Sequence, residues 1–137
     1  MQINPYLSFD GECEAAFKFY ERCLGGKIES LFTHEAMPPE AKAQMPGVDP
    51  KRIMHAHLSV GDQAIMGADG PPGGKKPQGF SVSLTLKSVS DGKRVFDELA
   101  QGGQVLMPFA PTFWSPGFGM LTDRFGIPWM VNCEQAA

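Results

Sequence analysis

His55 and His57 are one residue apart in Arg52 to Val60, where Met54, Ala56, Leu58 and Val60 alternate with His55, His57 and Ser59. That alternation predicts a strand, and a strand sends both imidazoles to one face. Two histidines at that spacing can share a metal, with His34 or Asp69 as a third ligand. One of them can instead act as a general base near neutral pH, with Asp69 orienting it. Paired strand histidines also hydrogen-bond locally or line a polar wall. A second set is aromatic. Phe113, Trp114 and Phe118 lie in a Pro- and Gly-flanked stretch, and with Tyr6 they can form a stacking surface for a flat or apolar ligand, or else seal a core or a contact between subunits.

The elements that position these groups occur twice. The stretch from Tyr6 to Ile28 is a short alternating run, a helical pattern and Gly25-Gly26, and the same plan returns from Ser83 to Val105 with Gly102-Gly103. Leu7 and Phe9 match Leu84 and Leu86, Phe19 matches Phe96, and Ile28 matches Val105. Asp10 and Ser90 are the expected helix caps. After each helix the pattern predicts three strands: Lys27 to Phe32, Arg52 to Val60 and Gln63 to Ala68 in the first copy, and Gln104 to Met107, Gly117 to Thr122 and Ile127 to Cys133 in the second. His34 to Lys51 reads as a long loop with a turn of helix near Glu40 to Gln44, and Pro108 to Pro116 as a second loop. The expected fold is α+β: two βαβββ modules, 1–69 and 79–137, joined by a linker at 70–78 within one domain and curving into an open barrel. A ligand site is expected in the cavity between the modules. Its polar wall would include Asn4, Tyr6, Ser8, Ser81 and Ser83.

Composition narrows the partners. The 137 residues carry 42% hydrophobic content and a net charge of −3, with no basic cluster denser than Lys75-Lys76 or Lys93-Arg94, so neither nucleic acid nor an anionic membrane is the expected partner. No apolar run reaches the length of a membrane span, and a cytoplasmic address is expected. Cys13, Cys23 and Cys133 fit no zinc spacing and read as free, buried thiols. Gly70 to Lys76 lacks the Gly-Lys-Ser/Thr of a phosphate loop, and Ser115 is not in a nucleophile elbow.

The repeat, the Phe19-Tyr20 pair before Leu24-Gly25-Gly26, and the Asp-x-x-Gly turn at Asp123 to Gly126 resemble the vicinal oxygen chelate superfamily, which includes glyoxalase I, bleomycin-resistance proteins and extradiol dioxygenases. Several stretches resemble its PhnB-like branch, often labelled demethylubiquinone-methyltransferase-like. They are Tyr6-Leu7-Ser8-Phe9, Ile53-Met54-His55-Ala56, Met66-Gly67-Ala68-Asp69, and Phe113-Trp114 through Phe118-Gly119 to Asp123-Arg124-Phe125-Gly126-Ile127-Pro128-Trp129. No glycine-rich loop of the kind that holds S-adenosylmethionine follows a first strand. The resemblance implies four inward metal positions, which here are Asn4, Met66, Ser81 and Met130. Two thioethers, an amide and a hydroxyl offer no charge to a dication. The reading is therefore a protein without metal or cofactor that holds a small organic molecule, with Met66 and Met130 as adaptable ligand surface. The resemblance also implies a homodimer. The rival readings are a metal-dependent lyase, isomerase or dioxygenase using His55 and His57, and a resistance-type protein that sequesters a drug.

Overall fold

In a computed structural model, which describes residues 1–135, the chain divides into two compact units, Met1–Gly74 and the remainder from Lys75. Each is a βαβββ module. The first runs β1 (Tyr6–Phe9), α1 (Cys13–Leu24), β2 (Lys27–Thr33), a 3-10 turn (His34–Ala36), α2 (Pro39–Ala43), β3 (Ile53–Val60) and β4 (Gln63–Asp69). The second runs β5 (Val82–Leu86), α3 (Val89–Ala100), β6 (Gln104–Ala110), β7 (Phe118–Thr122) and β8 (Pro128–Cys133). Each module has one four-stranded sheet, ordered β1-β4-β3-β2 and β5-β8-β7-β6. In both, the first strand pairs in parallel with the last, and the remaining pairs are antiparallel.

The helices form because their apolar residues recur on one side. Cys13, Ala16, Phe17 and Tyr20 of α1 are buried, as are Val95, Phe96 and Leu99 of α3. These stripes cover the apolar members of each strand alternation: Leu7, Phe9, Ala56, Leu58 and Ile65 in the first unit, and Val82, Leu121, Trp129 and Val131 in the second. Burying a side chain of this size contributes about 1.5–3 kcal/mol each.

Four local expectations differ from the structure. Asp10 does not cap α1; its carboxylate accepts from Arg52 Nη2 (3.1 Å) and from the Gly73 amide (3.0 Å). The N-terminal amide of α1, at Cys13, is instead met by Asp69 Oδ1 at 3.0 Å. Ser88, not Ser90, caps α3, accepting from the Asp91 amide at 3.1 Å. β6 continues to Ala110 through Pro108, which an edge strand tolerates because a missing amide costs no ladder bond on its outer side. Finally, Thr33 pairs with Ile53 and Phe32 with His55, so Met54 is the extra residue of a bulge and leaves the alternation.

Candidate functional site

The face of the first sheet away from α1 carries most of the chemistry. Register aligns Tyr6, Met66, His57 and Ser30 in one row across all four strands. In the next row His55 pairs with Phe32 of β2. His55 therefore lies between two aromatic rings, with centroids 6.0 Å away for Tyr6 and 5.6 Å for Phe32. The Tyr6 hydroxyl and His55 Nδ1 are 3.4 Å apart, a long hydrogen bond whose direction follows the imidazole tautomer. Tyr6 is 51% and Phe32 44% exposed, so the rings present area to a ligand. The imidazole of half-buried His57 has no hydrogen-bond partner among the described residues. Ser8 is exposed opposite Ala68. Asn4 precedes β1 and donates to Gln2 at 3.5 Å.

Asp69 lies on the other side of this sheet. Its pairing with Phe9 and its burial place it on the helix-covered face. There its carboxylate accepts from the amides of Cys13 (3.0 Å) and Ile53 (2.9 Å). It orients neither histidine, because strand alternation separates them. Its charge, after burial and together with Glu14, helps push the Cys13 thiol up to about 12, so that sulfur stays protonated and is a poor ligand. His34 is buried in the 3-10 turn, its amide donating to the Arg52 carbonyl and its Nε2 without a partner among the described residues.

The second sheet repeats the register with other residues. Ser83, Met130, Met120 and Met107 form the row that corresponds to Tyr6, Met66, His57 and Ser30. Beside it run Thr85, Asn132, Phe118 and Ala110. The Asn132 Oδ1 is buried without a partner among the described residues. Ser81 precedes β5 and is half-buried. Phe118, 7% exposed, packs edge-on against Trp114 at 5.3 Å, and Trp114 against Phe113 at 4.8 Å. Buried Ser115 anchors that loop, its single O–H within reach of the carbonyls of Gly117 (2.7 Å) and Cys133 (3.0 Å) and its oxygen accepting from the Gly117 amide (3.2 Å). Phe113 is thereby held out at 93% exposure. Trp129 belongs to the core under α3, its Nε1 donating to Asp123 Oδ2 at 2.8 Å.

The metal positions implied by resemblance do not suit a dication. Met66 and Met130 are neutral thioethers within these rows, and Asn4 and Ser81 add only neutral oxygen or nitrogen. Among the described residues no three His, Cys, Asp or Glu side chains gather to hold an ion. The sequence reading missed Phe32, Ser30 and Asn132. Phe32 and Ser30 share a face with the histidines only once β2 is placed in register beside β3, and Asn132 stands two residues from Met130 on β8, a period-2 signal already present in the sequence.

The sequence profile of the Glyoxalase/Bleomycin resistance protein/Dioxygenase superfamily matches residues 2–131. Protein YjdN of Escherichia coli (strain K12) is 38% identical over 142 residues, covering 96% of this chain and 95% of that protein. The crystal structure of protein PA1353 from Pseudomonas aeruginosa is 44% identical, with a TM-score of 0.90 over 99% of each chain. A PhnB protein from Bacillus cereus is 25% identical, with a TM-score of 0.80 over 98% of this chain and all of the other. The fosfomycin resistance protein FosX from Listeria monocytogenes, at 7% identity and a TM-score of 0.67 over 98% of this chain and 94% of that one, shares the fold alone.

Proposed function

Since the chain belongs to the glyoxalase/bleomycin resistance/dioxygenase superfamily and to its PhnB-like branch, we propose that it binds a small organic molecule on the helix-free faces of its sheets without using a metal. The observation that carries this reading is the group Tyr6, His55 and Phe32 beside the uncommitted His57. A planar or apolar body stacks on the exposed rings, and His57 exchanges one hydrogen bond with a polar substituent. Met66, Ser8 and Asn4 border this surface. In the second unit, Ser81, Ser83, Met130, Trp114 and Phe118 supply a softer counterpart. Aromatic contact of this kind adds about 0.5–1.5 kcal/mol beyond burial.

Native mass spectrometry of the purified protein, paired with elemental analysis, tests the reading. A co-purifying organic mass at one or two per chain without stoichiometric metal supports it. Isothermal titration with zinc, nickel and manganese is the counter-test, and tight one-to-one binding of any of them would defeat the proposal. Turnover through His55 and His57 is the second reading, favoured by the free His57 imidazole. It requires that replacing both with alanine abolish any activity found while leaving the fold intact. The proposed assembly is a homodimer in the cytoplasm, and light scattering on eluting protein checks the dimer.

A further inference from the structure

The long β2–β3 connection, which has no equivalent between β6 and β7, does more than join two strands. With the start of β3, the end of β4 and the residues just after it, this connection borders a half-open pocket of about 550 Å³. That volume lies within the roughly 300–1,000 Å³ usual for small-molecule sites. Met45, Val48, Met54, Pro71 and Pro72 give it apolar walls, and Met54 reaches it because the bulge removes that residue from the strand alternation. None of Tyr6, His55, His57 or Met66 lines it.

Its polar equipment is sparse. Arg52 lines the pocket with a side chain only 14% exposed. Its Nη2 donates to Asp10 Oδ1 at 3.1 Å and to the Gly70 carbonyl. Its Nε and Nη1 have no protein acceptor and are not sealed from solvent among the described residues, so N–H donors remain for a guest. Asp69 has both carboxylate oxygens on backbone amides. Asp49 accepts from the Lys51 amide at 2.9 Å.

Charge then selects the class of guest. Asp10 answers the Arg52 cation directly, and the Gly73 amide with Arg52 holds its carboxyl below the ordinary 3.8, hence ionised at neutral pH. Asp49 and Asp69 add two more carboxylates at the pocket itself. No positive charge is left over for an anion, yet free guanidinium N–H groups still favour an acceptor oxygen. We propose that this pocket is a second binding site, separate from the helix-free face, for an uncharged, largely apolar small molecule whose carbonyl-type oxygen accepts from Arg52.

The test is an amide chemical-shift titration of the ¹⁵N-labelled full chain with acetophenone, toluene and benzoate. They share one ring and differ in the acceptor and its charge. Acetophenone is expected to shift the amides of Met45, Gly47, Val48, Asp49, Lys51, Arg52, Ile53, Met54, Asp69 and Gly70 saturably, binding roughly fivefold or more tightly than toluene through the added hydrogen bond. Benzoate is expected to bind more weakly than acetophenone. Val48→Trp, which fills the pocket from an outer loop, should abolish these shifts, and His57→Ala should leave them intact. Met45→Trp replaces the Val48 variant if that spectrum loses dispersion. Each of four results overturns the proposal: no saturable shift, shifts centred on Tyr6, Met66 and His57, equal binding of toluene, or preference for benzoate. The site stands or falls independently of any ligand on the helix-free face, because the two map to different amides.

Discussion

The two sheets align residue for residue yet present different chemistry on the faces away from their helices. Tyr6, Met66, His57 and Ser30 cross the first, and Ser83, Met130, Met120 and Met107 cross the second at matching positions. The first row has a phenol and an imidazole, able to donate, accept and stack. The second has three thioethers, which adapt in shape but offer weak acceptors only. The helix-covered faces, by contrast, remain alike: each is apolar and each depends on a buried carboxylate. Asp69 ties Cys13 to Ile53, and Asp123 accepts from the Phe125 amide (2.8 Å), the Ile127 amide (3.0 Å) and Trp129 Nε1. Packing constrains one face of each module and leaves the other free to vary.

The largest effects should come from the carboxylates. Asp123→Ala leaves three donors without their acceptor and should cost about 4 kcal/mol, against about 3 kcal/mol for Asp69→Ala with two. Urea unfolding of both variants measures this, and a reversed order would break the parallel between the two clamps.

Glycines under the helices sharpen it next. A Cβ at Gly67 would stand 2.6 Å from the Leu7 carbonyl oxygen and 2.9 Å from Phe17 Cε1, and one at Gly119 would stand 2.6 Å from Phe96 Cε2. The closest atom at Gly67 is backbone, which cannot rotate away, whereas the nearest backbone atom at Gly119, Phe109 Cα, stands 3.0 Å off. Gly67→Ala should therefore lose about 2–3 kcal/mol and Gly119→Ala about 1–2 kcal/mol, read from thermal or urea midpoints.

The divergent faces predict unequal binding. Once a co-purifying molecule is identified, His57→Ala should weaken it about tenfold, and Met120→Ala at the corresponding position about threefold, by titration calorimetry. Equal losses would mean that the two rows do the same work.

The smallest effect concerns Asp10, whose carboxylate has no counterpart in the second unit's turn into α3. Its folded pKa is depressed, first by the Gly73 amide and then by Arg52. The unfolded state therefore takes up the proton first, and the tie is complete above pH 3.8 and disappears as pH falls through the lower folded value. Asp10→Asn should shallow the fall of the melting temperature as pH drops below 3.8, with no change in its slope near pH 7.

Sequence reasoning reached the repeat, the helix stripes and the histidine face because each is a local periodicity, and burial enforces periodicity wherever a helix must cover a sheet. The aromatic loop at Phe113-Trp114 was marked instead by its flanking prolines and glycines. Asp69 was misassigned because proximity along β4 does not reveal which face a carboxylate takes when the nearest unsatisfied amides belong to α1 and β3. The Met54 bulge escaped for a related reason: a bulge becomes visible only against a partner strand.

What the sequence determined alone was the order of elements and the side each residue takes within them, since both follow from backbone geometry over a few residues. Tertiary structure decided which side chains meet. Phe32 beside His55, Asp69 on the start of α1, and Arg52 between Asp10 and the β2–β3 pocket all depend on strand register and chain crossing, and contacts between residues far apart in the chain leave no periodic trace in its order.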